Sequence, residues 1–445
     1  MPRTRYYALG VLALVAMLST ADQAILIVTL PSIQAEFHLA DAQVGLINSA
    51  FVIVFGLTVV AAGYLADRVS RRVIIGVGTF LWSLATLFTG LSRGFGQLLL
   101  TRAVLGVGES SALPSSVSIV GDYFSKRDRG RAAAALGGAL QVGAGLGAIG
   151  GGLIAARYGW RAAFYFAAPP GVVLAGLALT LREPARGAAE PTPTIARAPH
   201  DAGLAGYRRV LGVRTFTVAA LSNTFLYFAV YGVAGFIGIY ASRRFGLDVG
   251  RVGALIGPPL LVSGLVGNSA GGWLVDWRGR RSPRAHLEVA GAACAVAALG
   301  MAAVFAAPSP LVFSIAFTLA ASAAQVAVPG LLAVNQNVII PSLRGSATAV
   351  QQVMTNLGGR AAGLLVIGLV ADRMHDLREA FLVVAPSALL LAAVFALAGR
   401  ATMASDTAAM ETEWAGRPAD AGHGLRDLGD ASVAHPTTTN QEVAV

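Results

Sequence analysis

Charge is scarce in this sequence. Only 13% of its 445 residues are Asp, Glu, Lys or Arg, about half of the ~25% usual for a soluble globular chain. So few polar side chains cannot cover a water-exposed body of this length, which excludes a soluble enzyme. Cysteine is reduced to Cys294, set in an apolar run, so a disulfide framework and a thiolate metal site are both excluded. It reads as a small buried hydrophobe. Lysine occurs once, at Lys126, and no Gly-x-x-x-x-Gly-Lys-Ser/Thr stretch is present, which excludes a P-loop ATP-driven pump within the chain. The six histidines, His38, His200, His286, His375, His423 and His435, are scattered between or at the ends of apolar runs. They offer neither a metal cluster nor a proton relay, so no metal and no other cofactor is expected, and no nucleophile–base constellation points to an enzyme.

What is abundant is apolar length. Hydrophobic residues make up 55% of the chain and the mean hydropathy is +0.66. A helix crossing a bilayer needs ~20 mostly apolar residues, because its backbone polar groups must be satisfied within the segment. Twelve such runs stand at 7–33, 43–66, 73–92, 96–121, 132–156, 162–181, 215–241, 250–275, 286–306, 310–336, 347–371 and 379–399. The first is too long, and too polar at Asp22 and Gln23, to be a cleaved signal peptide, and is read as helix 1. The predicted fold class is an all-α membrane protein with twelve transmembrane helices.

The net charge of +10 is a topology signal. With a cytoplasmic N-terminus, 21 bases fall on the inner side and 8 on the outer, as the positive-inside rule requires, so both termini are placed in the cytoplasm. Nucleic acid is then unnecessary as a partner. Residues 183–213 break the apolar rhythm with Pro, Gly and charge. They divide an N-terminal six-helix bundle (1–182) from a C-terminal one (214–400) as a central cytoplasmic linker. The tail 401–445 has few large apolar residues and is expected to be disordered.

The halves carry an internal repeat. Gly63, Asp67, Arg68, Arg71 and Arg72 mark the end of helix 2, and Gly272, Asp276, Arg278, Arg280 and Arg281 the end of helix 8, with Gly, Asp and the last two arginines offset by 209 residues. Duplication with both halves in the same membrane orientation is implied. This Gly-x-Leu-Ala-Asp-Arg-x-x-Arg-Arg loop resembles the signature of the major facilitator superfamily, which implies two six-helix bundles over residues 1 to about 400 and a monomer surrounded by membrane lipid. A carboxylate such as Asp67, at a helix end among bases, accepts charge-assisted hydrogen bonds from a neighbouring helix end only when the gate is closed. The expected gating motif is therefore Gly63, Asp67, Arg68, Arg71 and Arg72 with Asp276, Arg280 and Arg281.

Helix 4 reads Arg102-Ala-Val-Leu-Gly-Val-Gly-Glu109-Ser-Ser-Ala-Leu-Pro114, followed by Asp122-Tyr-Phe, Gly159-Trp-Arg161 and Arg182-Glu-Pro-Ala-Arg186-Gly. This order resembles the bacterial Spinster-like branch of that superfamily and, less closely, its organic anion:cation symporter branch. The Spinster-like pattern Asp-Arg-Gln in helix 1 is here Asp22-Gln23-Ala24, so the base beside Asp22 is missing. The first resemblance implies lysolipid-like amphiphiles as solutes, the second organic anions such as carboxylates.

Ionised side chains inside a membrane are expensive and need partners or water. Asp22 lies halfway along helix 1 and Glu109 halfway along helix 4, with Arg102 two turns before Glu109 on the same face. The resemblance implies that helices 1, 4, 7 and 10 line a central cavity. Asp22 and Glu109 are the candidates for proton coupling, and Arg102 for holding an anionic solute. Arg360 interrupts helix 11, Asn223, Tyr227 and Tyr231 form a stripe on helix 7, and Gln325 and Asn356 sit on helices 10 and 11; all are candidate solute contacts. In helix 5, Gly145-x-Gly147-x-x-Gly150 matches a dinucleotide fingerprint only formally, since the strand and acidic residue of that motif are lacking. Small residues there let helices approach and slide.

The reading is a secondary active transporter that moves a small organic or amphiphilic solute by alternating access with proton coupling, in a bacterial inner membrane. The alternative is a passive facilitator or an exporter of lipid-like molecules or drugs, with structural carboxylates.

Overall fold

The computed structural model describes residues 2–66, 68–184, 204–280, 282, 284–340 and 343–415. Twelve helices in it are long and apolar enough to cross a membrane. Numbered in order they are Thr4–Phe37, Asp41–Val59, Arg71–Leu91, Phe95–Tyr123, Asp128–Tyr158, Trp160–Leu179, Arg214–Phe245, Val249–Gly279, Ala285–Phe305, Pro310–Val338, Arg344–Met374 and Leu377–Gly399. Every apolar run in the sequence corresponds to one of them. The chain is an all-helical membrane protein built from two six-helix bundles. Its distal end is the one opposite the termini, where the odd-numbered helices finish.

Local chemistry sets the ends at that side. The Asp248 carboxylate accepts from the amides of Gly250 and Arg251, and Asp376 accepts from that of Arg378, capping helices 8 and 12. Gly246, at φ 62°, stops helix 7 in the left-handed region that glycine enters without penalty. Regularity fails at three internal places. Helix 4 is two segments, Phe95–Ser110 and Ala112–Tyr123, and Pro114 has no N–H to give to the Ser110 carbonyl. Helices 8 and 11 contain π-helical stretches at Ser263–Gly267 and Met354–Ala361, a geometry that often marks functional sites.

Glycine decides how closely helix 5 packs. Gly143, Gly147 and Gly151 lie four residues apart on one face, and a Cβ at each would meet Met17, Ala21 and Ile25 of helix 1 within 2.6 Å. On its other side a Cβ at Gly145 or Gly152 would meet Leu261 or the Val249 carbonyl of helix 8 within 2.9 Å, and one at Gly253 would lie 2.4 Å from the Ala148 carbonyl. Helix 5 is therefore pressed against its own bundle on one face and against the opposite bundle on the other.

A polar network closes the distal end between the bundles. Asp372, at the end of helix 11, accepts from the amides of Asp41 and Ala42 (both 2.9 Å) and so caps helix 2. Arg243 of helix 7 donates to both carboxylate oxygens of Asp41 (3.0 and 2.8 Å) and to Gln34 (2.9 Å). Just below, a Cβ at Gly45 would lie 2.6 Å from the Leu364 carbonyl, and the Ser49 hydroxyl donates to the Ala361 carbonyl at 2.9 Å.

One expectation needs adjustment. Residues 403–415 of the tail are helical rather than disordered. Met403 is fully buried, Asp406 accepts from the Thr215 amide (2.9 Å) and so caps helix 7, and Glu413 pairs with Arg209 at 2.6 Å on the short helix Leu204–Gly212. A run poor in large apolar residues is held here by the buried Met403 together with the Asp406 cap and the Glu413 ion pair. Residues 416–445 lie outside the described residues, as do 185–203 of the expected linker.

Candidate solute-binding site

Between the bundles lies a cavity of about 410 Å³. Its walls are mostly apolar and aromatic, with Phe51, Phe55, Trp82 and Phe317 among them, and amides enter from Gln23, Gln141, Asn268 and Gln325. Glu109 from the N-terminal bundle and Arg360 from the C-terminal one are the only charged side chains among the described residues that line it.

Glu109 stands at the end of the first segment of helix 4. Its Oε2 accepts from the Ser19 hydroxyl (2.8 Å) and the Gln23 amide (2.9 Å), while its buried Oε1 has no hydrogen-bond donor. Gln23, where the Spinster-like pattern has Arg, thus gives Glu109 a neutral donor instead of a counter-charge. Arg360 lies in the π-helical stretch of helix 11. It donates through Nη1 to Asn356 (3.1 Å) and through Nη2 to the Tyr231 hydroxyl, and its guanidinium carbon sits 3.8 Å from the Tyr231 ring centroid and 5.6 Å from that of Tyr227. The two rings stack at 5.7 Å. A guanidinium held over aromatic faces is attracted by their quadrupoles. Its Nε has no partner.

Asp22 and Arg102, expected in the cavity, sit behind its wall. Both are buried between helices 1, 3 and 4, with Arg102 Nη1 3.7 Å from Asp22 Oδ2. Thr86 donates to Asp22 Oδ1 at 2.9 Å, and Arg102 Nη2 donates to the Thr89 hydroxyl at 2.6 Å. Neither residue lines the cavity. Of the other candidates, Tyr227, Tyr231 and Gln325 do line it, whereas Asn223 is buried beside Thr355 (3.0 Å) and Asn356 supports Arg360 from outside the wall. Arg360 also lines the cavity, from within the π-helical stretch of helix 11.

Among the candidate gating residues that are described, Arg71 and Arg72 have separate partners. Arg71 is buried within the N-terminal bundle, where it joins Asp122, Ser118 and Glu183, the last at 2.8 Å. Arg72 donates to the Leu181 carbonyl at 3.3 Å. Arg68 follows helix 2 at an exposed position and does not lack an interaction partner. Gly63 lies in the continuous helix Asp41–Ala66. Asp276 and Arg280 are exposed, and Asp67 and Arg281 lie outside the described residues. Sequence reading missed the distal network of Gln34, Asp41, Arg243 and Asp372. Its partners are up to 331 residues apart, and each one singly looks like an ordinary polar residue near a helix end.

Comparison with known proteins agrees with this architecture. Residues 12–302 match the model of the Major Facilitator Superfamily. An MFS-type efflux pump of Mycolicibacterium smegmatis is 28% identical over 84% of this chain and 86% of its own. The protein spinster homolog 1 of Homo sapiens is 28% identical over 82% of this chain and 73% of its own, and the sphingosine-1-phosphate transporter SPNS2 of Xenopus tropicalis is 26% identical over 84% and 75%. The crystal structure of a bacterial homolog of the human lysosomal transporter Spinster, inward-facing and unoccupied, superposes with a TM-score of 0.76 at 24% identity, covering 92% of this chain and 98% of that one. With twelve helices able to span a membrane and a family match over residues 12–302, the chain belongs to the Major Facilitator Superfamily, a family of membrane transporters.

Proposed function

We propose that the protein is a secondary active transporter that carries a small organic or amphiphilic solute by alternating access, coupled to protons through Glu109. The observation that supports this most directly is a buried carboxylate facing the cavity with one oxygen lacking a donor. An ionised carboxylate in such surroundings is costly, and a proton removes the cost without disturbing the bonds from Ser19 and Gln23. Asp22 is the second candidate coupling group. Its charge partner is Arg102, behind the wall, and the pair serves to hold helices 1, 3 and 4 in register.

Tyr227, Tyr231, Gln325 and Arg360 are the proposed solute contacts. Asn356 supports Arg360 from behind the wall, Asn223 is bonded to Thr355 of helix 11, and Arg102 is paired with Asp22 in the other bundle. The Asp67 and Asp276 loops act as latches at the end bearing the termini, which the surplus of bases assigns to the cytoplasmic face of a bacterial inner membrane. The carrier works as a monomer in lipid. The inward-facing relative and the closed distal network favour a resting state open toward the termini.

The test is uptake into proteoliposomes under an imposed pH gradient. The solute is chosen first by thermal stabilisation of the purified protein across organic acids, sugar acids and lysophospholipids. Glu109→Gln should abolish gradient-driven accumulation while sparing solute exchange; accumulation equal to wild type would refute coupling at this residue. The apolar walls and the efflux-pump relative favour a second reading, export or passive passage of lipid-like molecules with Glu109 structural. That reading predicts pH-independent flux.

A further inference from the structure

The charges around the cavity balance, and the balance restricts what can enter. Glu109 and Arg360 line the cavity from opposite bundles, and behind the wall Asp22 is matched by Arg102. Of the two cavity charges only one can be switched off: a guanidinium does not deprotonate in a protein, whereas a carboxylate does. A loaded cavity without net charge is therefore open to a monoanion bound together with a proton on Glu109. A monocation has no such state, because Arg360 keeps its charge.

A zwitterion bridging the two groups would also balance, but bonding capacity argues against it. Arg360 has five N–H donors, of which the Tyr231 hydroxyl and Asn356 take two, and its Nε is unpartnered. An ammonium needs three acceptors, and Glu109 offers it a single free oxygen, since Ser19 and Gln23 occupy the other. The aromatic walls suit a flat apolar body next to the anionic group. Resting on the transport reading above, we infer that the solute is a monoanion with a compact apolar or aromatic body, held by Arg360 and accompanied by a proton on Glu109.

The probes are three naphthalene derivatives whose charges do not change with pH: naphthalene-2-sulfonate, the matching trimethylammonium and a sulfobetaine carrying both charges. Each is titrated calorimetrically into the full-length protein in lightly buffered detergent, at about pH 5.5 and about pH 8.5. Linkage requires that a proton which strengthens anion binding be taken up when the anion binds. The sulfonate should bind about tenfold more tightly at the lower pH, within the usual span of coupling between sites, and draw in close to one proton per anion at the higher pH. Glu109→Gln should keep sulfonate binding and lose both its pH dependence and the proton uptake. Arg360→Gln should lose binding, and Arg360→Lys, which keeps the charge, should retain part of it.

Sulfobetaine or ammonium binding equal to or tighter than that of the sulfonate would overturn the inference. So would sulfonate binding that survives Arg360→Gln, that occurs without proton uptake, or that is absent from the wild type. Gradient-driven uptake in vesicles reads the transport function separately, so that reading and this inference fail independently.

Discussion

At the residue scale the buried charges behave as sets. Asp22 and Arg102 have no water to fall back on, and removing one member of a buried pair leaves the other uncompensated, at a cost of roughly 3–5 kcal/mol. Asp22→Leu and Arg102→Met should each lower the unfolding midpoint in detergent strongly, and the double variant should lie closer to wild type than either. Midpoints that simply add would show that the two residues are not coupled. A second set lies at the end bearing the termini. Burial pushes the Glu183 carboxyl upward, but the Ser70 hydroxyl and the Arg71 guanidinium and amide outweigh it and hold the group below the usual carboxylate range. A depressed value adds stability above the ordinary glutamate pKa of ~4.3 and loses it as pH falls through the folded value. Wild type should therefore lose more thermal stability than Glu183→Gln as the buffer is taken from about pH 5 to about pH 3, and parallel curves would deny the linkage. Asp22, Glu109 and Arg360 were visible in the sequence because a charge inside an apolar run is conspicuous. Which of them faces the cavity was not, since that depends on helix rotation and on an irregular turn that no periodicity records.

At the scale of elements, helix 5 separates two kinds of contact that sequence shows only as richness in glycine. A Cβ at Gly147 would lie 2.5 Å from the Ala21 backbone, inside one bundle, whereas one at Gly253 would lie 2.4 Å from the Ala148 carbonyl, across the two. Gly147→Ala should destabilise the folded protein by about 1–3 kcal/mol through overpacking, read by the thermal midpoint. Gly253→Ala should leave the bundles intact and loosen the distal seal, read as a longer distance between spin labels placed on helices 5 and 8 near that end. Gly150 has nothing within 4 Å of its would-be Cβ, so Gly150→Ala serves as the neutral control. Unchanged label distances in Gly253→Ala would remove the glycine contact from the seal. The twelve spans themselves were legible to within a few residues, because apolar length is a local property of the chain. The short helix after Met403 was not, because a cap on Thr215 and a pair with Arg209 are supplied from elsewhere in the sequence.

At the scale of the whole molecule, the closed distal end and the open question of motion meet in Asp372. Its carboxylate holds the start of helix 2 across the bundle interface, and Arg243 clamps Asp41 beside it. Asp372→Asn should weaken this hold and populate a distally open form. The gain would be read as faster labelling of a cysteine placed at Ile27, on the cavity wall; the native Cys294 is buried and contributes little background. Labelling at the wild-type rate would relieve the network of that role. The twofold plan and the superfamily were legible from the repeated Gly-Asp-Arg-Arg loops, while the distal network emerges only when the halves are assembled. The presence of both Glu109 and Arg360 on the cavity wall also has an electrical side. An empty cavity holding one charge of each sign, and a filled one holding an anion with its proton, both move no net charge when the bundles rock. A field worth ~2.3 kcal/mol per elementary charge per 100 mV then has no charge to act upon. Clamping vesicles with potassium and valinomycin should leave the turnover rate unchanged, and the carrier would run on the chemical part of the proton gradient alone.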